Sequence, residues 1–369
     1  MLFRSWGQGG FLRVLAAGSQ SVGDGLTLLS AVERVNQNGP WTTPEGLRKL
    51  NALFTLGSGS GRESWSTSLS AYSASWNATD PIPQRLIDAG RYRGQAFGRY
   101  DSLDPSDGGQ TQRLSLSGQW RRNSLNQLSA VQWYAVRYDL DLYSNFTYAL
   151  NRASDQFAQT DQRTVLGGQG YQTWVTELDG DRVWLNTLGI QWRQDQMRVG
   201  LGDTTQRQWL STVRDDQVRQ SMLGVYAQSE MHWNPWLRTI AGLRADQLSA
   251  SVTSLTQAAN SGSAGATKLS PKGSVIVGPW QRTELFLNAG LGIHSNDARG
   301  MTARIDPRTG QAIDRVPALV ASRGQEIGLK SEAISNLQTS LAWWRLHFDS
   351  ELVYRADTGD TQEIGRAHV

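Results

Sequence analysis

The chain contains no cysteine, which removes disulfide frameworks, cysteine-ligated zinc and thiol nucleophiles together. It also lacks any run of about 18 uncharged apolar residues, so membrane-crossing helices are excluded. A dominant charge is missing too. Thirty-six basic and 33 acidic residues are interspersed, and nucleic-acid binding needs a basic stripe rather than a small net excess. The four histidines stand in unrelated places (His232, His294, His347 and His368), and no Ser, His and acid fall together as hydrolysis requires, so no enzyme is expected. The Gly57-Ser58-Gly59-Ser60-Gly61 run lacks the Lys and Ser/Thr of a phosphate loop and reads as a turn. No cofactor and no resident metal are expected. Asp101, Asp104 and Asp107 are spaced by three, unlike the one, three, five of an EF-hand loop, and read as a solvated turn.

What is present is aromatic and turn-rich: 15 Trp, 10 Tyr and 38 Gly in 369 residues, at a mean hydropathy of -0.45. That is too aromatic for disorder and too polar for a helical membrane protein. Strands with one apolar face fit both facts. Between Leu269 and Ile293 the chain reads as a hairpin. Leu269, Pro271, Gly273, Val275 and Val277 alternate with Ser270, Lys272, Ser274 and Ile276, a Gly278-Pro279-Trp280 turn follows, and Leu285, Leu287, Ala289, Leu291 and Ile293 alternate on the return.

The same period of two recurs along the chain. Strands are expected from Phe11 to Gly18, Gly25 to Arg34, Leu47 to Phe54, Ser64 to Trp76, Arg113 to Trp120, Leu128 to Phe146, Thr164 to Thr176, Trp184 to Val199, Gln217 to Glu230, Leu237 to Leu248, Leu269 to Ile293, Gln325 to Ser331 and Leu337 to Tyr354. Counting the hairpin as two gives about fourteen antiparallel strands. Long polar loops are expected at Asn77 to Gly109, with a helical turn near Arg85 to Ala89, and at Leu150 to Asp161, Gly202 to Asp215, Ser249 to Ala266 and Ser295 to Leu319. Short turns occupy the opposite end, and Trp65, Trp120, Trp184, Trp233, Trp236, Trp280 and Trp343 gather near them, as an interfacial girdle does. If Leu285, Leu287 and Leu291 meet lipid, then Arg244, Asp246, Lys272, Glu284, Asn288, Glu326 and Lys330 point to a lumen. The fold class is therefore all-β: an antiparallel up-and-down transmembrane β-barrel, incomplete, located in the outer membrane of a Gram-negative bacterium.

Four segments carry a family resemblance: RYDLDLYSNFTYAL (Arg137 to Leu150), WNPWLRTIAGLRAD (Trp233 to Asp246), SPKGSVIVGPWQRTELFLNAGLGIHSNDARG (Ser270 to Gly300) and VPALVASRGQEIGLKSEA (Val316 to Ala333). In this order they resemble the barrel of TonB-dependent outer-membrane receptors. The resemblance implies a barrel closed around a plug, which takes up a scarce ligand such as a ferric siderophore or cobalamin with energy relayed by the TonB complex. Plugged transporters of this kind have about 22 strands, so about fourteen make a partial barrel. The partners implied are outer-membrane lipid, TonB through the plug region, and a small iron-chelate or cobalamin-like ligand, with no nucleic acid.

On this reading residues 1–362 form the partial barrel, and Glu363 to Val369 are a non-native tail. Arg4, Arg13 and early glycines break up any signal-peptide core, so Met1 is expected to lie inside a longer gene. In the loops, Trp76, Tyr92, Tyr100 and Trp209 are candidates to stack on a ligand, and Arg91, Arg93 and Arg99 to hold its anionic groups. The competing readings are a passive porin-like channel and a soluble secreted all-β binding protein.

Overall fold

The alternation is realised as one very large sheet. The computed structural model describes residues 1–78, 80–145, 156–355 and 360–364. Strands run in the order β1 (Leu2–Gly7), β2 (Phe11–Ser21), β3 (Leu26–Gln37), β4 (Leu47–Ser60), β5 (Glu63–Asn77), β6 (Arg91–Tyr92), β7 (Gln95–Ala96), β8 (Gly108–Asn123), β9 (Gln127–Ser144) and β10 (Gln156–Leu178). They continue with β11 (Arg182–Thr205), β12 (Gln208–Asn234), β13 (Leu237–Ser254), β14 (Gly262–Trp280), β15 (Thr283–Ser295), β16 (Leu319–Ser331), β17 (Thr339–Phe348), β18 (Glu351–Arg355) and β19 (Asp360–Ile364). Two short helices, α1 (Gln84–Ala89) and α2 (Ala298–Thr302), lie in loops. Fifteen strands, β1 to β5 and β8 to β17, pair in chain order as one sheet, while β6 with β7 and β18 with β19 form separate ribbons. Each neighbour in the large sheet is antiparallel, as in the runs β10 to β12 and β14 to β16. Up-and-down connectivity therefore holds throughout.

The two faces differ as a membrane demands. Leu285, Leu287 and Leu291 are 45%, 50% and 44% exposed, so they are in no protein core. Leu188, Ile190, Val225, Leu243 and Ile327 are also exposed, and the register sets Ile327 opposite Leu287. Leaving such side chains in water costs about 1.5–3 kcal/mol each, so a soluble protein would not spread them over a whole face. Lipid removes that cost.

The ends differ as well. Connections β2–β3, β4–β5, β8–β9, β10–β11, β12–β13, β14–β15 and β16–β17 are two to seven residues long. At the other end residues 80–107 and 296–318 lie in long loops. The strands grow to 27 residues in β12, roughly 90 Å along the strand at about 3.3 Å per residue, so β10 to β12 project far beyond a bilayer.

At the short-turn end Trp236 and Trp280 stack with ring centroids 6.4 Å apart. Indole N–H groups there find partners: Trp120 on Glu63 at 2.7 Å, Trp184 on Ser229 at 2.7 Å and Trp233 on Thr239 at 2.8 Å. Trp343 departs from the expectation. It pairs with Ile327, in register with Leu287, and so sits further up the strands than the rim.

Several boundaries differ from those read in the sequence. β1 precedes the first expected strand, and the expected turn Gly57–Gly61 is mostly strand, leaving only Gly61–Arg62 to turn. The expected loops Gly202–Asp215 and Ser249–Ala266 are largely strand too, β11 and β12 being joined by the two residues Gln206 and Arg207. Of the expected loop Leu150–Asp161, residues 156–161 belong to β10 and residues 150–155 lie outside the described residues. In each case hydrogen-bonded pairing continues where no lipid-facing alternation marks it. Of the expected tail, Glu363 and Ile364 belong to β19, and residues 365–369 lie outside the described residues.

A buried apolar cluster lies at the loop end of the polar face. Met301 and Ala298 of α2 pack on Val218, Leu248, Ala250 and Val252, whose register places them on that face. The loop 296–318 is therefore folded in against the wall. Its α2 is capped by Asp297, which accepts from the Arg299 backbone N–H at 2.8 Å. Burial alone would raise the Asp297 carboxyl, but the Arg299 guanidinium and amide hold it at about 2.

Candidate functional site

Across the polar face, three amides form a ladder on adjacent strands. Gln169 donates to Gln132 and Gln191 donates to Gln169, both at 2.7 Å. Beside it runs a second cross-strand row, Tyr171, Gly189, Tyr226, Arg244 and Ser270. Glycines in these rows are seats for neighbouring side chains. A Cβ at Gly167 would overlap the Tyr134 ring, at Gly189 the Tyr226 ring, at Gly224 the Arg244 guanidinium and at Gly242 the Lys272 stem. Long side chains consequently lie flat on the wall instead of standing off it.

Charges on this wall largely pair with themselves. In a strand, residues i and i+2 share a face, and four adjacent strands use that spacing for an Arg–Asp pair. Arg163 pairs with Asp161 on β10. On β11 Arg193 pairs with Asp195 at 2.8 Å, on β12 Arg214 with Asp216 at 2.9 Å, and on β13 Arg244 with Asp246 at 2.7 Å. Asp195, Asp216 and Asp246 are buried beneath these guanidiniums. The sequence shows these pairs as Asp-x-Arg or Arg-x-Asp within strands, a signal that strand alternation alone does not reveal. The Gln ladder and the three tyrosines carry no such signal.

The residues expected to face a lumen all fall on this polar face. Arg244 and Asp246 form the pair just described, Glu284 stands opposite Lys330, and Asn288 stands opposite Glu326, with Asn288 Nδ2 donating to a Glu326 carboxylate oxygen at 3.4 Å. Lys272 makes no ion pair among the described residues.

At the long-loop end the structure gathers most, but not all, of the expected ligand contacts. Arg91 and Tyr92 form β6, Tyr92 meets Phe97 edge-on at 5.4 Å, and Arg93 lies over Tyr92 at 5.2 Å. Arg99 lies over Tyr100 at 5.6 Å, and Tyr100 tilts against Trp41 at 6.2 Å. Trp76 is placed apart, at the end of β5. Trp209 is also apart, lying over Gly202 in the β11–β12 hairpin with its N–H on Thr212 at 3.0 Å.

Two hubs fasten the loops. Arg207, at the hairpin tip, donates from Nε to the Ser106 carbonyl at 2.6 Å, and its backbone N–H donates to Gln156 at 2.8 Å. Beside it Asp107 is fully buried, accepts from Gln156 at 2.9 Å and leaves its second oxygen unpartnered. The expected solvated Asp101-Asp104-Asp107 turn is thus half right. Asp104 does make a local turn to Ser106 at 2.8 Å, but Asp107 is core to the loop base. Desolvation, with Asp80 and Asp104 nearby, pushes its carboxyl up to about 9. The second hub is Asn260, which accepts from the Arg304 and Ile305 amides at 2.9 and 3.0 Å and donates to the Ile305 carbonyl at 2.8 Å. No group of three or more metal-ligating side chains is assembled among the described residues.

Comparison with solved structures finds this architecture repeatedly. The unliganded ferric citrate transporter FecA superposes with a TM-score of 0.73 at 10% identity, covering 99% of this chain and 52% of that one. The closed form of the ferric-catecholate import receptor Fiu from E. coli K12 gives 0.70 at 11%, covering 97% and 59%. The copper transporter OprC gives 0.69 at 16%, covering 97% and 54%. This chain spans about half the length of those structures. No curated protein matches it in sequence. The family described as TonB dependent receptor-like, beta-barrel, matches residues 38–369. With its one-sided apolar sheet and its unequal ends, the chain belongs to the β-barrel of the TonB-dependent receptors of the Gram-negative outer membrane.

Proposed function

We propose that the intact protein is an active outer-membrane transporter that draws in a scarce ligand, a ferric siderophore or a cobalamin-like chelate, with energy supplied through TonB. The similar structures include importers of ferric citrate and ferric catecholate, which supports an iron chelate over other cargo. The observation that carries the reading is the polar wall. Its tyrosines and cations lie flat over glycines, which leaves room inside the barrel for the plug that a TonB-linked transporter carries. In this reading Arg91, Arg93 and Arg99, with Tyr92 and Tyr100, meet an anionic chelate first, and Trp76 and Trp209 contact it from the flanking strands. Arg244, Asp246, Lys272, Glu284, Asn288, Glu326 and Lys330 line its route.

A second reading, a passive porin-like channel, draws on one observation: α2 folds inward against the wall, as a constriction loop would. One experiment separates them. The complete gene is expressed in a receptor-deficient strain and uptake of radiolabelled ferric siderophores and cobalamin is followed with and without TonB. Transport that stops when TonB is removed supports the proposal. Uptake that continues, with steady ion conductance of the purified protein in planar bilayers, overturns it in favour of the channel.

A further inference from the structure

On the outward face, β9 to β13 change character along their length. Midway they carry Val131, Ile190 and Val225 in one cross-strand row and then Trp133, Trp192 and Leu223 in another, all more than a third exposed. The tryptophans mark the border of the apolar band on the side of the long loops. Four residues further toward those loops, about 13 Å along the strands and on the same face because side chains alternate, Arg137, Thr164, Gln196, Arg219 and Ser251 form a polar row. Arg198 stands in the next row, between Gln162 and Gln217. Together they line a groove of about 560 Å³ that carries three guanidiniums and no carboxylate. Arg137 is held by Asp139 at 3.3 Å, and Arg198 by both oxygens of Asp215 at 2.9 and 2.6 Å. Both acids stand nearer the loops than the arginines they hold, and both arginine side chains remain more than half exposed. Arg219 is exposed and makes no ion pair among the described residues, so one positive charge of the groove is uncompensated.

We propose that this groove docks the phosphorylated headgroup of an outer-leaflet lipid, with Arg219 as the charge partner of one phosphate and Arg137 and Arg198 flanking it. The long-loop end of an outer-membrane barrel faces the cell surface, so the groove lies where outer-leaflet headgroups begin. A guanidinium meets phosphate oxygens through two parallel N–H donors, and the neighbouring amides and hydroxyls supply further donors. A lipid fits better than a soluble phosphate because the groove runs on into the apolar band: an acyl chain passes Leu166, itself 42% exposed, to reach Trp133 and Trp192. The site needs only an outward face in lipid. It therefore holds for a transporter and for a channel, and it lies outside the space a plug would fill.

The test uses the complete receptor refolded in detergent, free of native lipid and with a chelator present, so that no divalent cation bridges the acids to a phosphate. Diphosphoryl lipid A is the probe, the same lipid stripped of both phosphates is its uncharged control, and native mass spectrometry counts bound lipid across a titration. The phosphorylated lipid is expected to bind at least tenfold more tightly. Arg219→Gln is expected to weaken it at least fivefold, Arg219→Lys by less, and Arg137→Gln and Arg198→Gln severalfold each. Heat-modifiable mobility on gels confirms that each variant is folded. Equal affinity for the two lipids, or an unchanged affinity in folded Arg219→Gln, overturns the site. A loss as large in Arg182→Gln, at the short-turn end, also overturns it by marking attraction to the protein's charge at large. Displacement of the lipid by equimolar inorganic phosphate at constant ionic strength does the same, since a soluble anion is then the occupant. Uptake that fails to depend on TonB while the lipid preference persists sinks only the transporter reading.

Discussion

The base of the loop 80–107 should loosen as pH rises, and Asp107 should be the reason. Its carboxyl is fully buried, hydrogen-bonded to Gln156 and adjacent to Asp80, which accepts the Asn145 amide at 2.5 Å. The Ala78 amide donates to the Asp107 carbonyl at 2.9 Å, so the residue closes both ends of the loop. In the folded loop the proton stays on until about pH 9, whereas an unfolded chain releases it near 3.8. The folded-state value is raised, so the stabilisation is complete below about pH 4 and is lost progressively up to about pH 9. Each pH unit in that window changes the opening equilibrium about tenfold, or about 1.4 kcal/mol. Between pH 7 and 9 the open population should rise by roughly a hundredfold.

Arg91 and Arg93 in the exposed hairpin are the reporters. Trypsin cleavage there, normalised to a free peptide at each pH, tracks the open population when closing outpaces cleavage. Asp107→Asn keeps an oxygen for Gln156 but cannot ionise, so its normalised cleavage should be flat across the same range. A wild-type profile as flat as the variant's, or a variant as steep as wild type, would refute the assignment.

The inward loop 296–318 yields two further outcomes. Met301→Ala empties a fully buried site between α2 and the wall and should cost about 2–5 kcal/mol locally. The readout is faster tryptic cleavage at Arg304 and Arg315 with the strands left intact. Asn260→Ala strips two partly buried amides and a carbonyl of their partner and should weaken the same loop by about 1–3 kcal/mol. A spin-label distance between residues 256 and 309 should broaden in that variant and stay narrow in wild type.

The sequence disclosed what the bilayer imposes and little else. Leu285, Leu287 and Ile327 had to alternate with polar partners because one face meets lipid, and the short turns and long loops could be placed from the same pattern. Beyond the membrane that constraint ends. β11 and β12 run on to Gln206 and Arg207 through residues such as Leu201, Thr204, Arg214 and Asp216, which are buried by loops rather than by lipid, and the turn is made at positive φ, 50° and 62°, by residues that announce no turn. Asp107 was unreadable for another reason: its burial comes from Gln156, 49 residues away. The inward position of α2 was hidden because Ala298 and Met301 are isolated apolar residues in a polar loop. Of the candidate contacts, Arg91, Tyr92, Arg93, Arg99 and Tyr100 share one subloop because they are close in sequence, whereas Trp76 and Trp209 belong to strands that carry them elsewhere.

The strand glycines of the wall invite an explanation in terms of backbone freedom, but Gly167, Gly189, Gly224 and Gly242 are absent from the positive-φ set. A glycine inside a strand forfeits roughly 0.5–1 kcal/mol relative to alanine, and here four do so on one face of adjacent strands. What each gains is the room a neighbour needs to lie down: a ring over Gly167 and Gly189, a guanidinium over Gly224, an alkyl stem over Gly242. Ring-on-glycine contact across a strand pair recovers part of the loss. A wall meant only to be packed would be better served by alanine with upright side chains, which fill space at no such loss. A wall fitted around a plug, as the transporter proposed above requires, needs its side chains low and its charges balanced in place, and the self-paired Arg–Asp strands provide that balance.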